Sequence, residues 1–255
     1  MASYCEAKSR HGVWLLRIED VDTPRVVAGA SEQILRDLEA FGFAWDGAVL
    51  YQSDQFEQYQ FYLDQLLAQG DCYACECSRR SLREHGVRSG PLGQIYPGLC
   101  RLKQLPVANH SLRLNTASAS SIGFTDRVYG EFALNLPESV GDFVLKRVDN
   151  IFAYHLAVVV DDQLQGVNQV VRGADLLENT CLHLYLQQKL SFATPEYMHI
   201  PLVNNAQGMK LSKQTGAMAL EHRHASRQLV AALNHLLQAP PAGLERNDPR
   251  EILQW

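Results

Sequence analysis

The sequence has no long hydrophobic run. The longest, Ile151 to Val160, is interrupted by Tyr154 and His155 and is too short to span a bilayer, so no membrane partner is expected. The opening MASYCEAKSRHG contains neither an apolar segment nor a cleavage pattern, which argues against a secretory leader and for a cytoplasmic protein. Cysteine is sparse, at six in 255 residues, too few for a disulfide scaffold. There is no basic excess either: the formal net charge is −5. A generic nucleic-acid coat needs positive charge to neutralise phosphates and is therefore disfavoured, which leaves room for a nucleic acid held by a local basic patch. No internal repeat or low-complexity tract stands out. What remains is ordinary for a globular protein, with 46% apolar and 20% charged residues, and the length fits one large domain or two small ones.

Residues 12–18 form a short apolar run after a glycine and read as a buried strand, with acidic residues at its C-terminal end. Ile34, Leu35, Leu38 and Phe41 fall at helical spacing behind Ser31, a candidate N-cap. A second helix is expected over 55–69, with Tyr59, Tyr62, Leu63, Leu66 and Leu67 as its apolar face. Residues 70–106 gather cysteines, glycines, prolines and basic residues and read as a small insertion. Strands are expected near 111–114, 122–128, 142–148 and 167–172, and a helix over 175–189. Residues 153–164 fit helix or strand equally. The tail from Leu220 reads as mostly helical, with Pro240-Pro241 as a breaker. Strands alternating with helices predict an α/β fold with a parallel, doubly wound sheet. The expected division is a first half of the catalytic domain over 1–69, the insertion over 70–106, the second half over 107–200, and a loop plus helical tail over 201–255. Ala2 to Ser9 is helix-forming without a cap. Ahead of a parallel strand it would be the crossover of a βαβ unit whose first strand is absent; the alternative is a free helix starting at Met1.

Three motifs carry chemistry. In Arg17-Ile18-Glu19-Asp20-Val21-Asp22-Thr23-Pro24-Arg25, carboxylates end a buried strand, where open α/β sheets bind ligands. A carboxylate there could hold an ammonium group; the alternative is an acidic turn. In Lys210-Leu211-Ser212-Lys213-Gln214, two lysines on a polar loop after strand-like Ile200-Pro201-Leu202-Val203 could stabilise a leaving pyrophosphate, although most such pairs are solvated surface. In the segment from Tyr154 to Asp162, followed by Val171-Arg172-Gly173-Ala174-Asp175, an arginine at a strand end suits planar carboxylate recognition. The alternatives are that Val158 to Val160 is core and that Arg172 pairs with Asp175.

Together, in this order, these motifs resemble the glutamyl and glutaminyl branch of class I aminoacyl-tRNA synthetases. Within it, the likeness is to the glutamyl-Q tRNA(Asp) synthetases, truncated paralogues of glutamyl-tRNA synthetase. It covers about residues 1–220. The short tail after Gln214 leaves no room for an anticodon-binding domain, and Cys75-x-Cys77 with Tyr96-x-x-x-Cys100 looks like the paralogues' zinc site.

The resemblance implies a Rossmann-type parallel sheet with a zinc-binding insertion and a short helical C-terminal tail. It implies activation of L-glutamate by ATP, with Mg2+ accompanying ATP, and transfer to queuosine at the wobble position of tRNA(Asp) by a monomer. By that likeness Glu19 binds the glutamate ammonium, and Tyr154 and Arg172 are the other glutamate-binding positions. Lys210, Ser212 and Lys213 bind ATP, with Lys213 as the catalytic phosphate contact. Cys75, Cys77, Tyr96 and Cys100 hold structural zinc. Spacing alone divides evenly between that site and buried free thiols, with Cys72 a competing ligand; Cys5 and Cys181 read as packed thiols. His155, His183 and His199 read as satisfied histidines, and His222 and His224 as a solvated helix start. A non-catalytic tRNA-binding or regulatory relic of the same fold and a fragment of glutamyl-tRNA synthetase are the competing readings. The resemblance also places the first class I signature, a His-containing Gly-rich segment, ahead of Met1. Without it, weak or no activity and poor stability are expected, with a rate loss of about 10²-fold or more.

Overall fold

The computed structural model describes residues 1–205, 207–211 and 219–255. Helix α1 (Ala2–Ser9) leads into β1 (Arg17–Ile18). The strand expected over 12–18 is shorter and less buried than its apolar character predicts: Val13 is 68% exposed. Its backbone is met from one side, where Asp46 and Leu50 donate to the Trp14 and Leu16 carbonyls. The other side borders a cavity.

Helix α2 (Ala30–Ala40) starts after Gly29. Ser31 lies in its first turn and does not cap it, because the chain already turns where Ala30 N–H donates to Val27 O. The helix ends in a paired turn, with Gly42 N–H on Glu39 O and Phe43 N–H on Leu38 O. Gly42 has φ +81°, and a Cβ there would sit 2.9 Å from the Arg250 backbone nitrogen, so both conformation and space call for glycine. The chain then enters β2 (Leu50–Tyr51), parallel to β1 with Arg17 opposite Leu50. This is one βαβ unit.

Helix α3 (Phe56–Ala68) buries Tyr59, Leu63 and Leu66 at helical spacing, as expected. The insertion follows, with β3 (Cys72–Cys75), α4 (Arg79–Glu84) and the small hairpin β4 (Ser89–Gly90) and β5 (Gly93–Gln94). A Ser78/Ser81 capping box starts α4. Next come β6 (Ser111–Leu114), the hairpin β7 (Ser121–Asp126) and β8 (Gly130–Asn135), the short α5 (Leu136–Ser139), and β9 (Phe143–Lys146). Strand β8 was not foreseen; its burial alternates weakly and offers little apolar signal. β3, β6 and β9 form an antiparallel sheet in that order.

The ambiguous 153–164 segment is helix α6 (Tyr154–Leu164). Residues 156–162 are all buried, since α3 and β9 pack on it. The next elements are β10 (Gln169–Gly173), α7 (Leu177–Leu190) and β11 (Glu196–Ile200). α7 also covers α6, and a helix covered on several sides loses the amphipathic period that would mark it. β10 and β11 pair in parallel, with Arg172 opposite His199, giving a second βαβ unit. The strand expected at 200–203 lies earlier, because Pro201 has no N–H to continue the ladder. The tail contains α8 (Ala225–His235) and α9 (Pro249–Gln254).

The main core joins α3, β3, β6, β9, α6 and α7 through residues such as Leu63, Leu114, Leu145, Leu156 and Leu186. A second cluster packs Leu229, Leu233, Leu244 and Ile252 of the tail on Phe41 and Phe43. A third holds Cys75, Leu82, Tyr96 and Cys100. The fold is α/β, with parallel strands present as two separate ladders, β1–β2 and β10–β11. Among the described residues no helix is long and apolar enough to cross a membrane.

Candidate active site

A cavity of about 1000 Å³ lies between these two ladders. Its walls are 12–15, Arg17 and Glu19 on one side and 165–172 on the other, with Tyr154, Val158 and Asp162 of α6 between them. Glu19, Tyr154 and Arg172, dispersed in sequence, are thereby brought to one site.

Arg17 is held on the α6 side. It donates to Asp162 Oδ1 (2.8 Å) and Gln165 Oε1 (3.2 Å) and lies 3.8 Å from both Asp161 and Glu19. Asp161 is fully buried and accepts from Tyr59 Oη and Gln52 Nε2. Burial alone would lower the Arg17 pKa, but Asp162, Asp161 and Glu19 together raise it. Glu19 is raised as well, which for a carboxyl disfavours the charged form. Desolvation in the cavity raises its carboxyl above the ordinary value, Arg17 opposes this, and Asp162 and Asp161 add to it.

Arg172 differs from Arg17 in its partners. Its Nε donates to His199 Nε2 (3.2 Å), and Nη1 lies 3.5 Å from Tyr154 Oη and 3.3 Å from His183 Nδ1. Nη2 donates to Thr180 Oγ1 (2.8 Å) and Leu176 O (3.3 Å). All are neutral acceptors. Among the described residues no carboxylate lies within ion-pair distance of it. The alternative pairing with Asp175 is not formed, since Asp175 accepts from Lys210 Nζ. His183 and His199 are buried, as a satisfied reading of them implies, but they satisfy Arg172 and thereby belong to the site. Burial, first of all, holds His183 well below its ordinary pKa and His155 down at about 4. His222 is not simply solvated, because Nε2 lies 2.6 Å from Asp37 Oδ1.

Lys210 sits at the end of a tight turn in which Asn205 Oδ1 accepts from Gln207 and Met209 N–H. Ser212 and Lys213 lie outside the described residues.

The insertion brings Cys75, Cys77 and Cys100 together, with sulfurs all within 4.8 Å of one another. Tyr96 Oη is 3.3 Å from Cys75 Sγ and 3.7 Å from Cys77 Sγ, and the Cys100 N–H donates to it. Three sulfurs and a phenol oxygen converging on one point form a donor set that suits zinc. Burial raises the Cys75 thiol, but Tyr96 and Arg113 outweigh it and leave its pKa lowered. Arg113 Nε donates to Cys75 Sγ at 3.2 Å, with its guanidinium 3.9 Å over the Tyr96 ring. Tyr96 is pinned from behind by Gly141: with φ +70°, Gly141 pairs with the Tyr96 backbone, and a Cβ would lie 2.0 Å from Tyr96 O. Cys72 is not a ligand. Strand alternation turns it into the main core, where burial raises its thiol to about 12. Cys181 is buried against Ile122 O, and all six cysteines are free thiols.

Residues 1–237 match the family described as tRNA synthetases class I (E and Q), catalytic domain. The chain belongs to this family. It is thereby a ligase of the class I synthetases. It is 46% identical over 260 residues to the glutamyl-Q tRNA(Asp) synthetase of Dechloromonas aromatica, covering all of this chain and 85% of that protein. It is also 46% identical to the Synechococcus protein of the same name, covering all of this chain and 86% of that one. Among solved structures it resembles a glutamate tRNA ligase of Elizabethkingia meningosepticum in complex with its amino acid (TM-score 0.72, 27% identity), covering 84% of this chain and 48% of that one. The fold is also that of the glutamate-tRNA synthetase of Elizabethkingia anophelis (TM-score 0.78, 24% identity), covering 99% of this chain and 60% of that one.

Proposed function

We propose that this chain activates L-glutamate with ATP and transfers the glutamyl group to queuosine at the wobble position of tRNA(Asp). The observation that carries the glutamate assignment is Arg172, a guanidinium on the cavity wall whose described partners are all neutral. A cation so placed gains from an anionic ligand, since a charge-assisted bond is stronger than the neutral ones it replaces. Glu19 in the same cavity offers the complementary charge to an ammonium group, and Tyr154 adds a hydroxyl beside Arg172. A zwitterion with a second carboxylate matches this distribution.

The chemistry is in-line attack of the glutamate carboxylate on the α-phosphorus of ATP, with pyrophosphate leaving and glutamyl-adenylate formed. The protein positions the reactants and stabilises the developing charge, so no side-chain nucleophile is required. Lys210, Ser212 and Lys213 are assigned to ATP, with Mg2+ as the nucleotide's companion. Zinc, held by Cys75, Cys77, Tyr96 and Cys100, would cross-link the insertion. Free thiols and the lack of any apolar spanning helix among the described residues accord with a cytoplasmic site of action.

The 46% identity to glutamyl-Q tRNA(Asp) synthetases, against 24–27% to the glutamate tRNA ligases, favours queuosine transfer over charging of tRNA(Glu). The test is glutamate-dependent ATP–pyrophosphate exchange without tRNA, followed by transfer of labelled glutamate to tRNA(Asp) or tRNA(Glu). Weak exchange, with label on tRNA(Asp), is the expected result. Label on tRNA(Glu) would instead identify a glutamyl-tRNA synthetase fragment. Glutamate binding without pyrophosphate exchange would leave the non-catalytic relic.

A further inference from the structure

The groups behind Arg172 form a directional chain that no motif announced. It begins at Asp126, the last residue of β7, whose carboxylate is fully committed. Oδ1 accepts the backbone N–H groups of Val128 and Tyr129, both at 2.9 Å. Oδ2 accepts the His199 backbone N–H at 3.0 Å and lies 2.7 Å from His199 Nδ1. Both side chains are 0% exposed. Burial raises the Asp126 carboxyl, but its four hydrogen bonds outweigh this and leave its pKa lowered, so it is an acceptor only.

An ionised Asp126 fixes the proton of His199 on Nδ1 and leaves Nε2 as a lone pair. That lone pair faces the Arg172 Nε–H at 3.2 Å. Thr180 Oγ1, 2.8 Å from Nη2 and 3.1 Å from His199 Nε2, closes the arrangement. A protonated His199, or the other tautomer, would put N–H against N–H. Burial, chiefly, with Arg172 adding to it, keeps His199 below its ordinary pKa against the pull of Asp126.

We propose that Asp126, His199 and Thr180 are positioning residues that hold the Arg172 guanidinium in one orientation toward the cavity and so set the affinity for the amino acid. The proposal rests on Arg172 binding a substrate carboxylate. A core hydrogen bond alone would need only shape. This one transmits a polarity, from carboxylate through imidazole to guanidinium, and reversing the tautomer inverts it.

The experiment measures glutamate affinity by calorimetry and glutamate and ATP KM in pyrophosphate exchange for Asp126→Asn, His199→Gln, His199→Leu and Arg172→Gln, with 15N NMR of His199. In Asp126→Asn the side-chain amide donates to His199 Nδ1 and forces the proton to Nε2. Glutamate affinity is expected to fall about 10- to 100-fold, the loss of a hydrogen bond to a charged group, with ATP KM unchanged and the NMR tautomer reversed. His199→Gln, whose amide oxygen can replace Nε2 as acceptor, is expected to recover most of the affinity lost in His199→Leu. If Asp126→Asn does not fold, the Gln/Leu pair and the wild-type tautomer carry the test. Wild-type glutamate affinity in Asp126→Asn or His199→Leu, alongside a weakened Arg172→Gln, overturns the positioning role. An Nε2–H tautomer in the wild type also overturns it. An Arg172→Gln variant that binds glutamate normally overturns the carboxylate assignment itself.

Discussion

Glu19 and Arg17 show how one cavity favours one charge and disfavours another, since a raised pKa holds Arg17 charged and opposes the charge of Glu19. Glu19 faces Arg17 and Arg172 but also Asp161 and Asp162, and desolvation leaves its carboxyl above the ordinary value. An ammonium ligand needs this carboxylate ionised. On the proposed assignment, glutamate binding is therefore expected to be full above the raised pKa and to be lost as pH falls through it, at higher pH than for an exposed glutamate. Titration of glutamate affinity between about pH 4 and 8 checks this. Glu19→Gln is expected to weaken binding about 10-fold or more at pH 7 and to flatten the acidic limb. Binding by Glu19→Gln with wild-type affinity would remove Glu19 from the ammonium site. At this scale strand-end charge singled out Glu19 and Arg172, and the family likeness singled out Tyr154; the structure places all three on one cavity. Asp126, Thr180 and His199 were not: a buried polar residue reads as core until its partner is seen.

At the scale of elements, the insertion and the α2 turn each depend on a glycine that another segment presses upon. Chelation of zinc is expected to speed hydrogen exchange across 72–100 while glutamate affinity persists, because the thiol cluster and the cavity have separate cores. Equal loss at both would contradict that separation. Gly141→Ala should act like chelation, since the new methyl group strikes the Tyr96 backbone; bound zinc measured by metal release should fall below that of the wild type. Gly42→Ala combines a left-handed φ with a close approach to Arg250 and is expected to cost about 1–2 kcal/mol or more in urea unfolding. The helix that starts at Gly29, not at Ser31, shows why caps are hard to place from sequence: the turn before the helix decides where its first N–H groups point.

In the whole molecule, the cavity lies between two parallel ladders, so a ligand bound there would bridge them. Saturating glutamate should raise the midpoint of thermal unfolding, by about 2.7 kcal/mol of stabilisation at 100 times Kd, and Arg172→Gln should abolish that rise. A midpoint insensitive to glutamate in the wild type would count against binding in the cavity. Leu229→Ala in the tail should cost about 2–5 kcal/mol, because that helix shares a core with Phe41 and Phe43 and is no loose appendage; thermal unfolding would register it. The sequence by itself determined the α/β class, the strand-end charges, the cysteine cluster and the family likeness. These are local patterns, set by periodicity, spacing and motif order. Tertiary structure alone decided that 153–164 is a helix, that Cys72 turns away from the thiol cluster, and that Asp175 takes Lys210 and leaves Arg172 to neutral partners. Each of those outcomes depends on what a distant segment presents, and the hydrogen-bond polarity reaching Arg172 from Asp126 is set only when β7 and β11 meet.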